Sequence, residues 1–194
     1  QAVGAAHGFV FLPISQHDAK EYTGGALPGY AARASEPTVL TMVARAVAGG
    51  KQGAIYIDAF WNAAGANNAG ATDASSIPQR VTFSDGNGKP FDPLAEPFRL
   101  TADVDMGKLL KSGPVMIAGS RHQDGSQAWM LAIKVTDDGK GIVANDPATG
   151  RQVTLAYDSE TRAVGAVTRV FNPGSNAWVA LADAEAVRVA GGDV

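Results

Sequence analysis

The 194-residue chain contains no cysteine and only three histidines. Without cysteine it forms no disulfide bond, binds no metal through thiolates and has no cysteine nucleophile. The few histidines, His7, His17 and His122, restrict the side chains that can exchange a proton near neutral pH. Any catalytic chemistry must therefore depend on another nucleophile and on very few bases.

An excess of basic charge and long apolar runs are also lacking. Sixteen Lys and Arg residues stand against 19 Asp and Glu residues, and the basic residues are dispersed along the chain. We therefore expect no nucleic-acid partner, because such binding requires a concentrated basic surface. Polar residues interrupt every apolar run well before the roughly 18 residues of a membrane span, so we expect none.

The amino-terminal sequence QAVGAAHGFVF lacks the basic region and long apolar core of a signal peptide. It is nevertheless compatible with a mature end that remains after a signal is removed. The compartment stays open, and a periplasmic or secreted location is the expectation.

An apolar content of 45% in a chain of this length predicts one domain, residues 1–194, with a substantial core. A long loop insertion is expected around residues 62–97, where Ala, Gly, Asn, Ser and Pro dominate. Loops of this length inside a compact domain are usually functional or mobile.

The first half of the chain favours helices. SEPTVLTMVARAVAGG has apolar residues at helical spacing, with Ser35 as the expected N-cap and Gly49-Gly50 as the stop. TADVDMGKLLKSGP predicts a short helix with an Asp or Thr cap. GFVFLPI, residues 8–14, is expected to be a strand, whereas GAIYIDAFW, residues 53–61, is compatible with a strand or a helix.

The second half favours strands. The segments VMIAGS, AWMLAIKV, GIVAN, RQVTLAY and VGAVTRVF are separated by the turn sequences RHQDGSQ, DDGK, DPATG and later NPGSN. Helices followed by antiparallel strands indicate an α+β fold.

Three of these segments, SGPVMIAG, AWMLAIKV and DGKGIVANDPATG, follow the helix at SEP in an order that resembles the papain-like cysteine peptidases, especially the bacterial C39-like group. The resemblance covers roughly residues 30–155. It implies an N-terminal helix packed on a C-terminal antiparallel sheet. It also implies a nucleophile at the start of the helix, a histidine at the start of AWMLAIKV and an acidic residue in the Asn-Asp-Pro turn.

Carried over position by position, the resemblance assigns Ser35 to the nucleophile, Gln127 or Ala128 to the histidine and Asp146 to the orienting acid. Neither glutamine nor alanine can accept and return a proton near neutral pH. A serine hydroxyl without a base is a poor nucleophile. The resemblance thus implies a degenerate site with no catalytic residue, in which Ser35, Gln127, Trp129 and Asp146 serve as binding residues.

Other interpretations of these residues stay open. Ser35 could act only as an N-cap, and Asp146 could act only in its own turn. His122 could reach Ser35 if its loop folded back over the cleft, although an exposed loop histidine is the simpler reading. His17 and Glu21 have helical metal-ligand spacing, but such a pair more often lies on a solvated face, so we expect no metal site.

Two further sets of residues bear on ligands. The sequence has no glycine-rich phosphate motif between a strand and a helix, so no cofactor is indicated. The three tryptophans, Trp61, Trp129 and Trp178, are expected in the core or in the wall of a cleft.

Three functional hypotheses follow. The leading one is a non-catalytic, papain-like pseudopeptidase domain that binds a peptide or protein partner. The second is an active hydrolase of peptide or amide bonds that uses Ser35 with His122. The third is a structural or interaction domain of a larger secreted or surface assembly, which uses the loop at residues 62–78. The oligomeric state is not indicated.

Overall fold

The computed structural model describes residues 9–50, 54–63, 82–121, 127–157, 163–165 and 167–189. The α-helices in these ranges are α1 (Ser35–Ala48), α2 (Asp58–Ala63) and α3 (Met106–Lys111). Single turns of 3-10 helix lie at Ala19–Glu21, Thr23–Gly25 and Ala31–Arg33. No helix in the described ranges has the length and apolar character that crossing a bilayer requires.

Eight strands form one antiparallel sheet. They are β1 (Phe98–Arg99), β2 (Val115–Arg121), β3 (Gln127–Val135), β4 (Gly141–Asp146), β5 (Arg151–Ala156), β6 (Arg169–Asn172), β7 (Ala177–Ala180) and β8 (Glu185–Arg188). Their order in the curled sheet is β1-β8-β2-β3-β4-β5-β6-β7. The combination of helices with one antiparallel sheet confirms the α+β class.

The sheet separates two apolar cores. In β3, Trp129, Leu131 and Ile133 belong to the core that contains α1, whereas Met130 and Ala132 belong to the core that contains α3. This alternation follows from the two-residue period of a strand, which sends neighbouring side chains to opposite faces. Both faces of β3 are covered, which explains why its sequence is apolar almost throughout.

Helix α1 is a core helix. All of its residues except Arg45 are buried, because the sheet, α2 and the N-terminal segment enclose it. The helix was predicted correctly, but Ser35 as its N-cap was wrong. Ala34 is the N-cap, and its carbonyl oxygen accepts the Thr38 N–H at 3.0 Å. Ser35 is the first helical residue, and its side chain points to a tertiary partner instead of capping the helix.

The strand predicted in GFVFLPI is wrong for the described residues 9–14, which join no sheet. Phe9 and Phe11 face the core while Val10 and Leu12 are exposed, so residues 9–12 alternate as in a strand, whereas the buried Ile14 departs from this pattern. The carbonyl oxygen of Phe11, however, accepts the Asn145 side-chain amide at 2.9 Å. A side chain has taken the place of a neighbouring strand, and Pro13 lacks the N–H that a ladder requires.

Four of the five strands predicted in the second half lie where they were expected, as β2 to β5. The fifth, VGAVTRVF, is shortened to β6, because the Val164 N–H donates to the Val104 carbonyl oxygen and the Val167 N–H donates to that of Ala163. The short strands β1, β7 and β8 were not predicted. The undecided segment 53–61 contains the start of α2, and much of the predicted loop insertion, residues 64–81, lies outside the described residues.

Candidate functional site

A pocket of about 300 Å³ lies at the N-terminal end of α1, between that helix, β3 and the β6–β7 hairpin. It contains four residues that the sequence singled out: Ser35, Ala128, Trp129 and Asp146. The remaining lining residues are Gln16, His17, Ala32, Met130, Ala148, Asn172, Ser175, Ala177, Trp178 and Val179. Residues far apart in the chain thus meet in one cavity, which we call the Ser35 pocket.

Ser35 connects α1 to β3. Its hydroxyl oxygen accepts the Trp129 backbone N–H at 3.0 Å, and the residue is only 4% exposed. The register between β2 and β3 shifts between Ala118 and Arg121, close to this point. Trp129 itself stays in register with Ala118 of β2, and the serine hydroxyl ties its backbone N–H to the start of α1. The side chain therefore has a clear structural role.

The position of the expected histidine lies at the start of β3. Ala128 lines the Ser35 pocket, and its methyl group supplies no proton acceptor. Gln127 is the first residue of β3 and pairs with Arg121, but its side chain lies outside the described part of the structure. His122 also lies outside the described residues, so its approach to Ser35 stays the alternative hypothesis to an exposed loop histidine.

Asp146 ends β4 and is 4% exposed. One carboxylate oxygen accepts the Ala148 N–H at 3.0 Å, which closes the Asx turn expected of an Asp-Pro sequence. The other accepts the Asn172 side-chain amide at 3.1 Å and the Thr149 hydroxyl at 3.4 Å. Among the described residues the carboxylate bonds neither Ser35 nor His17, so it orients no base.

Gln16 and His17 are pocket residues that sequence reasoning did not assign to the site. Gln16 is 4% exposed, and its amide nitrogen donates to the carbonyl oxygens of Ala31 and Ala32 at 3.0 and 3.1 Å. His17 is exposed at the edge of the pocket. No local pattern could have revealed them, because the segment reaches the pocket only through contacts with distant residues.

The suspected His17 and Glu21 pair does not form a site. His17 lines the Ser35 pocket, whereas Glu21 lines a different cavity and forms a salt bridge with Arg45. His17 and Glu21 do not lie on one helix, because the 3-10 turn that contains Glu21 begins only at Ala19. Within the described ranges, no group of three or more His, Asp or Glu side chains is arranged to hold a metal ion.

The three tryptophans divide between core and pocket. Trp61 is buried in the α1 core and stacks on Tyr30 with ring centroids 4.0 Å apart. Trp129 and Trp178 line the Ser35 pocket, and Trp178 is 41% exposed. The guanidinium carbon of Arg169 lies 5.2 Å from the centre of the Trp178 ring. Trp61 and Trp129 are therefore both core residues, and Trp178 is the tryptophan whose exposure allows it to contact a ligand.

A larger cavity of about 990 Å³ lies at the C-terminal end of α1, and we call it the Arg45 groove. Its charged groups include Asp18, Glu21, Arg45 and Arg151. Arg45 bonds Glu21 and also donates twice to the carbonyl oxygen of Ile55. Much of the hydrogen-bonding capacity of its guanidinium is therefore used within the protein.

Comparisons with known proteins assign no family, because neither a protein-family model, a curated protein nor a solved structure matches the chain.

Proposed function

We propose that the protein is a non-catalytic, papain-like pseudopeptidase domain, and that it binds a peptide segment of a partner protein in the Ser35 pocket. The observation that carries this proposal is the convergence of Ser35, Ala128 and Asp146 on one cavity. The papain-like resemblance assigns these residues to one site although they are distant in sequence. If the resemblance were accidental, there would be no reason to expect these three residues in one pocket.

The chemistry of the pocket favours binding over catalysis. Ala128 cannot act as a base, and Asp146 spends its hydrogen bonds on its own turn and on Asn172. The Ser35 hydroxyl supports the Trp129 backbone. A nucleophilic serine needs an adjacent base that a third group orients, and the described residues do not form this chain of contacts.

The shape of the pocket supports a peptide ligand. Alanines, Met130 and the two tryptophans supply apolar wall, while Gln16, Ser35 and Asn172 supply polar groups. This mixture is typical of ligand pockets, in which a few polar groups fix the orientation of an otherwise apolar ligand. The volume suits one or two amino-acid side chains, and the exposed Trp178 extends the contact surface.

The proposal is tested by selecting from a displayed library of random linear peptides and measuring the affinity of the enriched peptides by calorimetry. Ala177 is exposed and lines the pocket, so Ala177→Phe obstructs the pocket without adding charge. We expect at least a roughly tenfold loss of affinity, about 1.4 kcal/mol. Ala180→Phe is the matched control, since Ala180 is exposed on the same strand but does not line the pocket.

Unchanged affinity in Ala177→Phe would place the peptide elsewhere, and failure to enrich any peptide would remove the proposal. A structural domain acting through residues 62–78 predicts this second outcome, with association lost only when that loop is altered.

An active hydrolase is the second candidate, and the presence of His17 in the same pocket as Ser35 favours it. In this hypothesis His17, rather than His122, is the base that activates Ser35. A fluorophosphonate probe, which labels activated serines, separates the hypotheses. Labelling that disappears in Ser35→Ala and in either His17→Ala or His122→Ala would establish the hydrolase, whereas an unlabelled protein supports the binding domain.

A further inference from the structure

We infer that the Ser35 pocket takes the basic side chain, lysine or arginine, of the bound peptide. The inference rests on the proposed function and adds the chemical class of the residue that enters the pocket. It follows from three properties of the described lining residues: their charge, their hydrogen-bond acceptors and their aromatic wall.

The charge of the pocket is one-sided. Asp146 is the one carboxylate among the lining residues of the described part, neither lysine nor arginine lines the cavity there, and the basic side chain that does, His17, is exposed at its edge. Asp146 is also almost completely buried, with an exposed fraction of 4%. A charge is screened less when it is buried, so its attraction for a cation in the cavity is stronger than at the surface.

A hydrogen-bond acceptor points to the same class of ligand. Both hydrogens of the Gln16 side-chain amide are used by the carbonyl oxygens of Ala31 and Ala32. Among the described residues, no donor bonds the side-chain oxygen of Gln16. Gln16 lines the pocket and this oxygen keeps some exposure there, so it can accept from a ligand donor, which an ammonium or guanidinium group supplies.

The walls suit the rest of a basic side chain. Trp178 already has the guanidinium of Arg169 near its ring, although Arg169 does not itself line the pocket. The cation–π interaction of this ring is thus already made within the protein, and the ring serves as apolar wall for the stem of a ligand side chain. The alanines that line the cavity, Ala32, Ala128, Ala148 and Ala177, leave room for an aliphatic stem.

An acidic ligand group would meet the opposite situation. It would lie near the Asp146 carboxylate, with no lysine or arginine of the described lining residues to compensate its charge. The Arg45 groove differs, because arginines line it together with acidic residues. The preference for a cation therefore belongs to the Ser35 pocket in particular.

The test uses two small probes with almost the same shape, the Nα-acetyl N-methylamides of arginine and citrulline. Citrulline keeps the planar head group but has no charge. Binding is followed by tryptophan fluorescence and by competition with a peptide selected against the wild-type protein. We expect the arginine probe to compete at a concentration at least roughly tenfold lower than the citrulline probe, a difference of about 1.4 kcal/mol.

Charge variants at Ala177 locate the effect without disturbing buried residues. Ala177→Glu should strengthen binding of the arginine probe and Ala177→Lys should weaken it, with little effect on citrulline. Ala180→Glu and Ala180→Lys are the matched controls on the same strand. Asp146→Asn, a substitution at the buried carboxylate itself, should abolish the preference for arginine over citrulline. It is less specific than the Ala177 variants, because it also alters the hydrogen bonds to Ala148 and Asn172.

The outcomes separate the two proposals. Equal competition by arginine and citrulline, together with peptide binding that Ala177→Phe blocks, would overturn the basic side chain and leave the peptide-binding function standing. If the preference for the arginine probe were unchanged by the charge variants at Ala177 but altered by those at Ala180, the probe would bind outside the Ser35 pocket. This result would overturn the proposed location of the basic side chain. If neither probe nor any peptide binds, both proposals fail.

Discussion

The two cavities at the ends of α1 differ in size and, more importantly, in how their charges are used. The Arg45 groove is about three times as large, at roughly 990 Å³ against 300 Å³. Its central arginine is bonded to Glu21 and to the Ile55 backbone. The smaller Ser35 pocket has a carboxylate and no lysine or arginine among the described lining residues, and the arginine opposite Asp146 in the sheet, Arg151, lines the Arg45 groove instead.

This difference shows that volume alone is a poor guide to function. Charges that satisfy one another stabilise the fold and attract a ligand only weakly. A charge that faces a cavity without an opposite charge selects the ligand that enters. The following predictions test whether the two cavities are separate, and whether the Ser35 pocket depends on the contacts that surround it.

The wall between the cavities provides the largest expected effect. Gly150 has φ +70°, and a Cβ atom there would lie 2.6 Å from the Ser15 Cβ. Gly150→Ala combines a left-handed backbone with a steric clash, so we expect the free energy of unfolding to fall by about 3 kcal/mol in urea denaturation. The clash would also displace Ser15, the neighbour of Gln16, and weaken peptide binding.

The control for this substitution is Gly50→Ala. Gly50 also lines the Arg45 groove and has φ +75°, but its Cβ would meet nothing within 4 Å. We expect only the backbone cost of about 1 kcal/mol. Equal losses in the two variants would show that the contact between Gly150 and Ser15 contributes nothing.

An intermediate effect is expected for Ser35→Ala. The substitution leaves the buried Trp129 N–H without its acceptor, so we expect the free energy of unfolding to fall by about 1 to 2 kcal/mol. Hydrogen exchange at the Trp129 amide should accelerate, whereas affinity for a selected peptide should change much less than in Ala177→Phe. A complete loss of peptide binding in a folded Ser35→Ala would give Ser35 a direct role in recognition.

Ser112→Ala is the matched control for Ser35→Ala. The Ser112 hydroxyl donates to the carbonyl oxygen of Leu109, which also accepts the Ser112 backbone N–H. That oxygen therefore keeps a partner after the substitution. We expect a loss of only a few tenths of a kcal/mol.

The smallest of the three principal effects, apart from the control variants, is expected at neutral pH for Tyr22→Phe. The Tyr22 hydroxyl donates to the Gln16 carbonyl oxygen at 2.6 Å and so holds the segment that enters the Ser35 pocket. Loss of this bond should lower the free energy of unfolding by about 1 kcal/mol.

Alkaline pH should diminish the stabilising contribution of Tyr22. Burial raises the pKa of Tyr22 above its ordinary value, and the charges of Tyr30 and Asp58 raise it further. Above about pH 10 the unfolded chain ionises this tyrosine while the folded protein does not, so stability should fall as the pH rises. Denaturation series around pH 10 should show a shallower fall in Tyr22→Phe, and an unchanged slope would contradict this assignment.

Regular elements with a strong apolar pattern were predictable from the sequence. Helix α1 and strands β2 to β5 lie where periodicity and turn residues indicated, because their side-chain pattern determines which surface can be buried. The expectation of an Asp or Thr cap for α3 was also correct, and the structure shows that Asp105 is the cap, accepting the Lys108 N–H at 3.2 Å. Such features depend on neighbours in sequence.

Short or competing elements were not predictable in the same way. Residues 9–14 have the composition of a strand, yet Asn145 bonds the Phe11 carbonyl oxygen and no strand pairs with them in the described part. Strands β7 and β8 have only four residues each, too few for a periodic signal. Their formation depends on partners that are distant in sequence.

The candidate site divides along the same line. The sequence by itself identified Ser35, Ala128, Trp129 and Asp146 as residues of interest, and it determined the absence of cysteine and the lack of histidine at the start of β3. Only the tertiary structure decided that these residues share a pocket, that Ser35 bonds Trp129 rather than capping α1, and that Gln16 and His17 join them. The reason is physical: local sequence fixes which groups are available, whereas long-range packing and burial decide which of those groups face one another and which remain to meet a ligand.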